Sequence, residues 1–373
     1  MHIILFFTYE VSLKDWAETG LLQREIRLYQ ELVQKGVKVT FITYGDKEDY
    51  NYEDELNGIE IVPLYAFSPK VKSRMLRFLQ SFFLAFLLKQ FLQKANLYKT
   101  NQIWGGWNAV ISKWLYKKPL LSRCGFEAYQ FSIYQKRSVF FLVFLKFMSK
   151  LTYHFGDRVH VSSIQDKQFI EEVFKIPSKK INVQMNWINT QRFAPERKTK
   201  NHRVLFIGRL TSQKNIFILL DAIRLTSYKL DIIGDGEQKK ELEQYALQHD
   251  IKASFLGKIP NDQLPAIINR YPVFILPSQY EGNPKALLEA MACGRAVIGT
   301  DVSGINNIIE HEKNGLLCQP DADSIRNTIM HVMENPVLQK TIGEQAREYV
   351  IQNCSLQHYV EKELELYQEL IES

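Results

Sequence analysis

Two carboxylates and two cations stand out by their settings in this 373-residue chain. The segment 277–291 reads Pro277-Ser278-Gln279-Tyr280-Glu281-Gly282-Asn283-Pro284-Lys285-Ala286-Leu287-Leu288-Glu289-Ala290-Met291 and follows an apolar run at 273–276. That order predicts a strand, a polar loop and a helix. Asn283 is placed to cap the helix and Pro284 to be its first residue. Gly282 lets backbone come close to a ligand. The N–H groups from Asn283 to Lys285 and Ala286, less the one Pro284 lacks, then make an anion site aided by the helix dipole. Glu289 lies about five residues inside the helix, ~7.5 Å further along at 1.5 Å per residue, and helical side chains lean back toward the N-terminus. A diphosphate at the helix start would leave Glu289 near a ribose, whose two hydroxyls a carboxylate can bind, and Glu281 nearer a sugar. The alternative is a loop charge at Glu281 and a solvated one at Glu289. Against it, Ala286, Leu287, Leu288, Ala290, Met291 and Ala292 around Glu289 are all small or apolar.

The stretch Gly208-Arg209-Leu210-Thr211-Ser212-Gln213-Lys214-Asn215 also follows a predicted strand and precedes a helix. From a strand-end loop Arg209 and Lys214 both reach a diphosphate. Where that diphosphate is a leaving group, fixed positive charge stabilises the negative charge that grows as the bond breaks. The plainer reading makes both of them surface cations.

The elements that must position these groups follow a strand–helix rhythm. Strands are predicted at 2–7, 37–43, 59–63 and 158–162, with a helix over 21–34 that Gly36 ends. This βαβ unit is the mark of a doubly wound parallel sheet. The rhythm restarts with strands at 203–207, 229–233, 253–256, 273–276 and 296–300, and a helical tail runs from about residue 322. The charge-rich run from Glu196 to Asn201 reads as a linker. Two facing domains of this kind would leave a cleft at the carboxyl ends of both sheets.

Composition is ordinary, 46% hydrophobic and 24% charged, and the length suggests two domains. A net charge of +6 fits phosphate-bearing ligands or an anionic membrane face. Nucleic acid is not expected, for no zinc-finger spacing, arginine-rich arm or RNP-like strand is present. Four scattered cysteines, without Cys-x-x-Cys, suit a reducing compartment. The apolar start reads as a buried strand rather than a signal peptide, and no stretch approaches the roughly 20 apolar residues of a membrane span. Two segments are rich in Phe and Leu, 71–94, whose polar face carries Lys72, Arg74, Arg77, Lys89 and Lys94, and 136–150, bounded by Lys136 and Lys150. They read either as helices covering a sheet or as a basic amphipathic surface resting on anionic lipid. The expected location is cytoplasmic, peripheral on the inner face of the plasma membrane.

Taken in order, Gly208-Arg209 with Lys214, Gly234-Asp235-Gly236, Phe255-Leu256-Gly257, Pro277-Ser278, and Glu281-Gly282 with Glu289 seven residues on from position 282 resemble the donor half of the retaining family 4 glycosyltransferases. Gly294, Gly304 and Asn314-Gly315-Leu316 extend the match. The resemblance is strong over about 185–320 and architectural before that. It implies a GT-B fold of two Rossmann-like domains. One covers 1–190 plus a C-terminal helix crossing back at 355–373, and the other, donor-binding, covers 191–354. It implies a metal-independent, retaining transferase of the hexosyltransferase type, with no cofactor, a UDP- or GDP-sugar donor and a glycan or lipid-linked acceptor. Arg209 and Lys214 would bind the donor phosphates and Glu289 the ribose. Glu281 and the backbone of Gly282, Asn283, Pro284 and Lys285 would meet the sugar and phosphates, and Ile259 the base.

The first half departs from the family. A single Gly20 stands where a Gly-Gly turn is usual, and Cys124 stands where many members place a His, leaving Arg123 and Glu127 as the polar acceptor-side candidates. Asn189 replaces an aspartate of the stretch that Asn186 matches. A nucleotide-sugar-binding protein without turnover, or a nucleotide-sugar epimerase, are the alternatives.

Overall fold

Short apolar runs become strands here because they are buried on both faces, as strands of a parallel sheet covered by helices must be. β1 (His2–Phe6) is wholly buried, and β2 (Lys38–Thr43) is buried except at its first residue. The computed structural model describes residues 1–125, 127–196 and 202–373. With β3 (Glu60–Pro63), β4 (Leu97–Thr100), β5 (Leu120–Cys124), β6 (Arg158–Val161) and β7 (Ile181–Val183), these strands form one sheet in the order β3-β2-β1-β4-β5-β6-β7. A second sheet comprises β8 (Arg203–Ile207), β9 (Lys229–Ile233), β10 (Ala253–Gly257), β11 (Val273–Leu276), β12 (Ala296–Thr300) and β13 (Leu316–Cys318), in the order β10-β9-β8-β11-β12-β13. The pairings in both are parallel, for example Ile3 beside Val39 and Phe274 beside Val297. Each sheet winds outward from a central strand and then reverses, the doubly wound pattern.

The chain divides into two compact units, Met1–Gln184 with Val360–Ser373, and Met185–Tyr359. The division passes within the last helix, Leu356–Glu372, whereas the sequence placed it ahead of that helix, at 355, and at 190. Of the expected linker, 197–201 lies outside the described residues. Asp321 caps the helix Ala322–Met333 by accepting from the Ser324 N–H.

The helix expected over 71–94 is broken into Arg74–Ser81, Leu84–Leu87 and Lys89–Leu92. Neither Gly nor Pro causes the first break. Ser81, buried, donates to the Phe78 carbonyl three residues back and accepts the indole N–H of Trp107 at 3.0 Å. Such back-bonding bends helices, and here it wraps the segment around Trp107. The second patch forms a longer helix than its pattern marked, Val139–Phe155.

Candidate functional site

In the second unit, strand order reverses between β8 and β11, which lie side by side. Connections leave the two strands toward opposite faces, and the space between their carboxyl ends is where such sheets bind ligands. The loop after β8 carries Arg209 and Lys214, and the loop after β11 carries Ser278 and Glu281. The two are stitched together. Gln279 N donates to Gln213 O at 2.9 Å, and Gln213 Nε2 donates to Tyr280 O at 2.9 Å. Lys214 and Glu281 form an ion pair, both largely buried, and Ser278 Oγ donates to the same carboxylate oxygen, Oε1, at 2.6 Å. Arg209 is exposed beside them.

Two glycines make this approach possible. Gly234 has φ +142°, and a Cβ there would sit 1.8 Å from the carbonyl oxygen of Gly208. Gly304, at φ +85°, would place a Cβ 2.1 Å from the carbonyl oxygen of Glu281. Its neighbour Ser303 accepts the Glu281 N–H at 3.0 Å, so the backbone of Glu281 is fixed from the loop after β12.

The helix after β11 spans Lys285–Ala292, with Pro284 as its cap residue at φ −74° and ψ 101° and no side-chain cap. The expectation that Asn283 caps it is therefore corrected. Asn283 Oδ1 accepts the Asn186 N–H at 3.1 Å, and Asn186 Nδ2 donates to Asn283 O at 3.0 Å. The amide is spent on a neighbouring loop, and Pro284, whose missing N–H costs nothing at a helix start, takes the cap position. The space beside Gly282 is open, since a Cβ there would meet no atom within 4 Å. The ammonium of Lys285 lies 4.5 Å from the ring centroid of Trp187, a cation–π contact.

Glu289 is buried, 6% exposed, among Leu287, Leu288, Ala290, Met291 and Ala292, which are fully buried. It is not a solvated helix position. Asn261 Nδ2 donates to its Oε1 at 3.1 Å. Asn261 was not legible as a partner, because the contact joins residues 28 apart in the chain. Ile259, close to Asn261 in sequence, is half-buried against the apolar core of the unit. The change to Asn189 also has a physical reading. Its Oδ1 accepts the Arg192 N–H at 3.1 Å, a bond that asks only for an oxygen acceptor, so an amide serves as a carboxylate would.

Residues 188–349 match the family model of the glycosyl transferases group 1, and residues 25–192 match that of glycosyltransferase family 4. The two matches meet at 188–192 and between them cover most of the chain. The chain belongs to the family 4 glycosyltransferases. Among curated relatives, an uncharacterized glycosyltransferase of Methanocaldococcus jannaschii is 31% identical over 147 residues, 39% of this chain and 42% of that one. The UDP-Gal:alpha-D-GlcNAc-diphosphoundecaprenol alpha-1,3-galactosyltransferase of Escherichia coli is 26% identical over 228 residues, 56% and 59% of the two chains. The chain thus spans about half the length of the curated relatives it matches. The GT-B fold is shared with the sucrose-phosphate synthase of Thermosynechococcus elongatus, at TM-score 0.76 and 19% identity over 99% of both chains. It is shared as well with Anabaena HepE, solved with UDP-glucose, at TM-score 0.73 and 18% identity over 99% and 100%.

The acceptor-side candidates belong to the other unit of this family 4 chain. Gly20, at φ +71°, ends the helix Leu13–Glu18. Leu21 N donates to Trp16 O at 2.7 Å and Gly20 N to Ala17 O at 3.0 Å, the pattern that stops a helix with a left-handed residue. Helix termination alone accounts for its conformation. Arg123 is on β5, its guanidinium donating to Asn101 O at 3.1 Å. Cys124 is fully buried with the hydroxyl of Tyr153 at 3.2 Å from its sulfur. Glu127 is fully buried as well. Its Oε2 accepts the Gln130 N–H at 2.7 Å, and its Oε1 accepts from Tyr153 Oη at 3.2 Å. These contacts make it a support for the helix Ala128–Tyr134.

Burial pushes the Glu127 carboxyl up to about 7, against hydrogen bonds from Gln130 and Tyr153 that pull it down. A carboxyl raised on folding favours the native state while protonated, so its contribution fades as pH rises from the unfolded value, 4.5, toward 7. Glu127→Gln, which keeps the acceptor oxygen and cannot ionise, should therefore raise the melting temperature at pH 8 by a few degrees and leave it nearly unchanged at pH 5. Thermal melts at the two pH values check this, and an equal shift at both would count against an ionising Glu127.

Proposed function

We propose that this family 4 chain is a retaining glycosyltransferase that moves a sugar from a UDP- or GDP-sugar to a glycan or lipid-linked acceptor in cell-surface glycan synthesis. The observation that carries the reading is the Lys214–Glu281–Ser278 cluster at the switch point between β8 and β11, with the buried carboxylate of Glu289 on the helix that follows. A curated relative and a protein of the same fold support a nucleotide-sugar donor, the first being a UDP-galactose transferase by name and the second solved with UDP-glucose.

In this reading Arg209 and Lys214 bind the donor diphosphate. An ammonium has three N–H donors, so Lys214 can hold Glu281 with one and phosphate oxygens with the others. The first turn after Pro284 adds backbone N–H groups that an α-helix leaves without internal partners. Glu289, steadied by Asn261, takes ribose hydroxyls, and the open space beside Gly282 admits the sugar. Glu281 binds that sugar through Oε2, since Oε1 is committed to Lys214 and Ser278. As the bond from the sugar carbon to the diphosphate oxygen breaks, Arg209 and Lys214 take up the growing charge, and no metal is needed for that task. The acceptor hydroxyl attacks from the same face and gives its proton to the departing phosphate oxygen, so configuration is retained without a protein base.

The test is release of nucleoside diphosphate. Purified protein incubated with UDP- and GDP-sugars and extracted lipid acceptors should liberate UDP or GDP, and binding without release across the panel would defeat the reading. Lys214→Ala should weaken nucleoside diphosphate affinity about tenfold or more, the scale of one lost charge-assisted contact. Calorimetric titration with UDP and GDP reads this, and an unaltered affinity would remove Lys214 from the phosphate site.

A further inference from the structure

Between Ile61 and Gly156 the chain carries one acidic residue, Glu127, against fifteen lysines and arginines. Glu127 is fully buried, so no acid of this stretch contributes to its surface. Among the described residues, the same stretch holds most of the exposed large apolar side chains. Met75 is 72% exposed, Phe83 62%, Phe86 59%, Phe140 86%, Val143 64% and Phe147 63%.

These side chains follow helical spacing. Met75 and Phe86 lie on the segments Arg74–Ser81 and Leu84–Leu87, Phe83 is the cap residue of the second, and Phe140, Val143 and Phe147 run down one side of Val139–Phe155. The inward faces of the two elements meet. Phe78 packs edge-on against Phe144, with ring centroids 5.7 Å apart, and the two rings contact Trp107 and Trp104 respectively. The outward apolar faces therefore belong to neighbouring elements of one unit.

Lys72, Arg74, Lys136, Arg137 and Lys150 flank them along the chain, all exposed. Arg77 and Lys113 are paired to Glu10 and Asp157, whereas those five make no such pair among the described residues. Among the described residues no helix is long and apolar enough to cross a membrane.

We propose that these elements form a docking face for an anionic lipid bilayer surface. Exposed apolar side chains flanked by exposed cations match that partner. The rings and aliphatic groups sink below the headgroups while lysine and arginine stay at the level of the lipid phosphates. A second copy of the chain would bring like charge against like charge, which disfavours self-association through this face. The face is also coupled to the interior. Arg77, which donates to the Val71 and Lys72 carbonyls, pairs at 2.6 Å with Glu10 in the loop after β1.

The inference stands without sugar transfer, because it is tested with no donor present. The full chain is sedimented with vesicles of phosphatidylcholine alone and of phosphatidylcholine mixed with phosphatidylglycerol. Two variants are compared, Phe83→Ser/Phe140→Ser/Phe147→Ser and Lys72→Glu/Arg74→Glu/Lys136→Glu/Arg137→Glu. All seven side chains are exposed, and melting temperature together with far-UV circular dichroism checks that both variants fold. The wild type should bind the anionic vesicles and not the neutral ones. The charge variant should lose about a hundredfold or more in affinity, and raised salt should weaken the wild type in the same direction. The apolar variant should lose about tenfold or more even at low salt. Absence of binding at low salt, or equal binding to neutral and anionic vesicles, would overturn the proposal. So would an apolar variant that binds like the wild type, since that reduces the contact to diffuse charge adsorption. Conversion of a wild-type oligomer to monomers by the apolar variant, with no vesicle binding in either, would assign the face to self-association instead.

Discussion

Glu281→Gln should lower kcat by roughly two to three orders of magnitude, the usual loss when one positioned polar group is removed from a transfer site. The fold of its unit should survive. The Glu281 backbone is held independently of its carboxylate, through its N–H to Ser303 and the close approach of Gly304. Glutamine keeps the shape and one oxygen for Ser278, so the change falls on charge. Lys214 then loses its counter-charge in a largely buried setting, and in the proposed reading the sugar loses its carboxylate partner. The pattern of kinetics is diagnostic. Loss in both kcat and kcat/KM assigns Glu281 to interactions made in the transition state, whereas a raised KM with kcat intact would make it a ground-state contact. Unchanged turnover would refute its placement. Because Lys214 and Glu281 touch, the Lys214→Ala/Glu281→Gln double variant should lose less than the two single losses combined.

The second unit was legible because its signals are local. Strand, loop and helix follow one another within 203–224 and 273–292, so hydrophobic patterning places Arg209, Lys214 and Glu281 at strand ends. The unsuitable neighbours of Glu289 announce its burial. What stayed hidden depends on contacts distant in sequence. Asn283 carries the residue type of a cap, but Asn186 claims it from 97 positions away. Asn261 gives no sign of reaching Glu289 until β10 and the helix Lys285–Ala292 are in place. In the other half, Gly20 looks like a ligand-loop glycine in sequence, and the structure accounts for it by helix termination. Glu127 reads in sequence as a polar acceptor-side candidate, and the structure buries it beneath a helix start. β4 escaped notice because Lys99 interrupts a four-residue strand, and a lysine inside a strand argues for an edge or a surface.

That lysine is the centre of the largest stability effect expected in the molecule. Lys99 and Glu363 are both completely buried, with Nζ and Oε2 2.5 Å apart. Tyr367 Oη accepts from the same ammonium at 2.9 Å, and His160 Nδ1 on β6 lies 3.1 Å from Glu363 Oε1. Nearer the end of the chain Arg158 pairs with Glu369. Acids of the last helix thus meet bases on the sheet of the first unit, which explains how residues from Val360 onward join it. Burial alone would raise the Glu363 carboxyl, but Lys99 and His160 outweigh it and hold the group below the ordinary carboxylate range. Glu363→Ala would leave the Lys99 ammonium buried without a counter-charge and should cost about 3–5 kcal/mol. Lys99→Met/Glu363→Leu, which removes both charges and keeps their volume, should recover most of that loss.

The dependence on pH has a definite sign. A carboxyl depressed on folding contributes stability that is complete above its unfolded value, 4.5, and is lost as pH falls below it. The gap in urea-unfolding free energy between wild type and Glu363→Gln should therefore be widest near neutral pH and narrow progressively below pH 4.5. A gap that stayed constant down to acid pH would mean that Glu363 is not held ionised by its partners, and that the helix is docked by Val360, Leu366, Tyr367 and Leu370 alone, which are buried beside it.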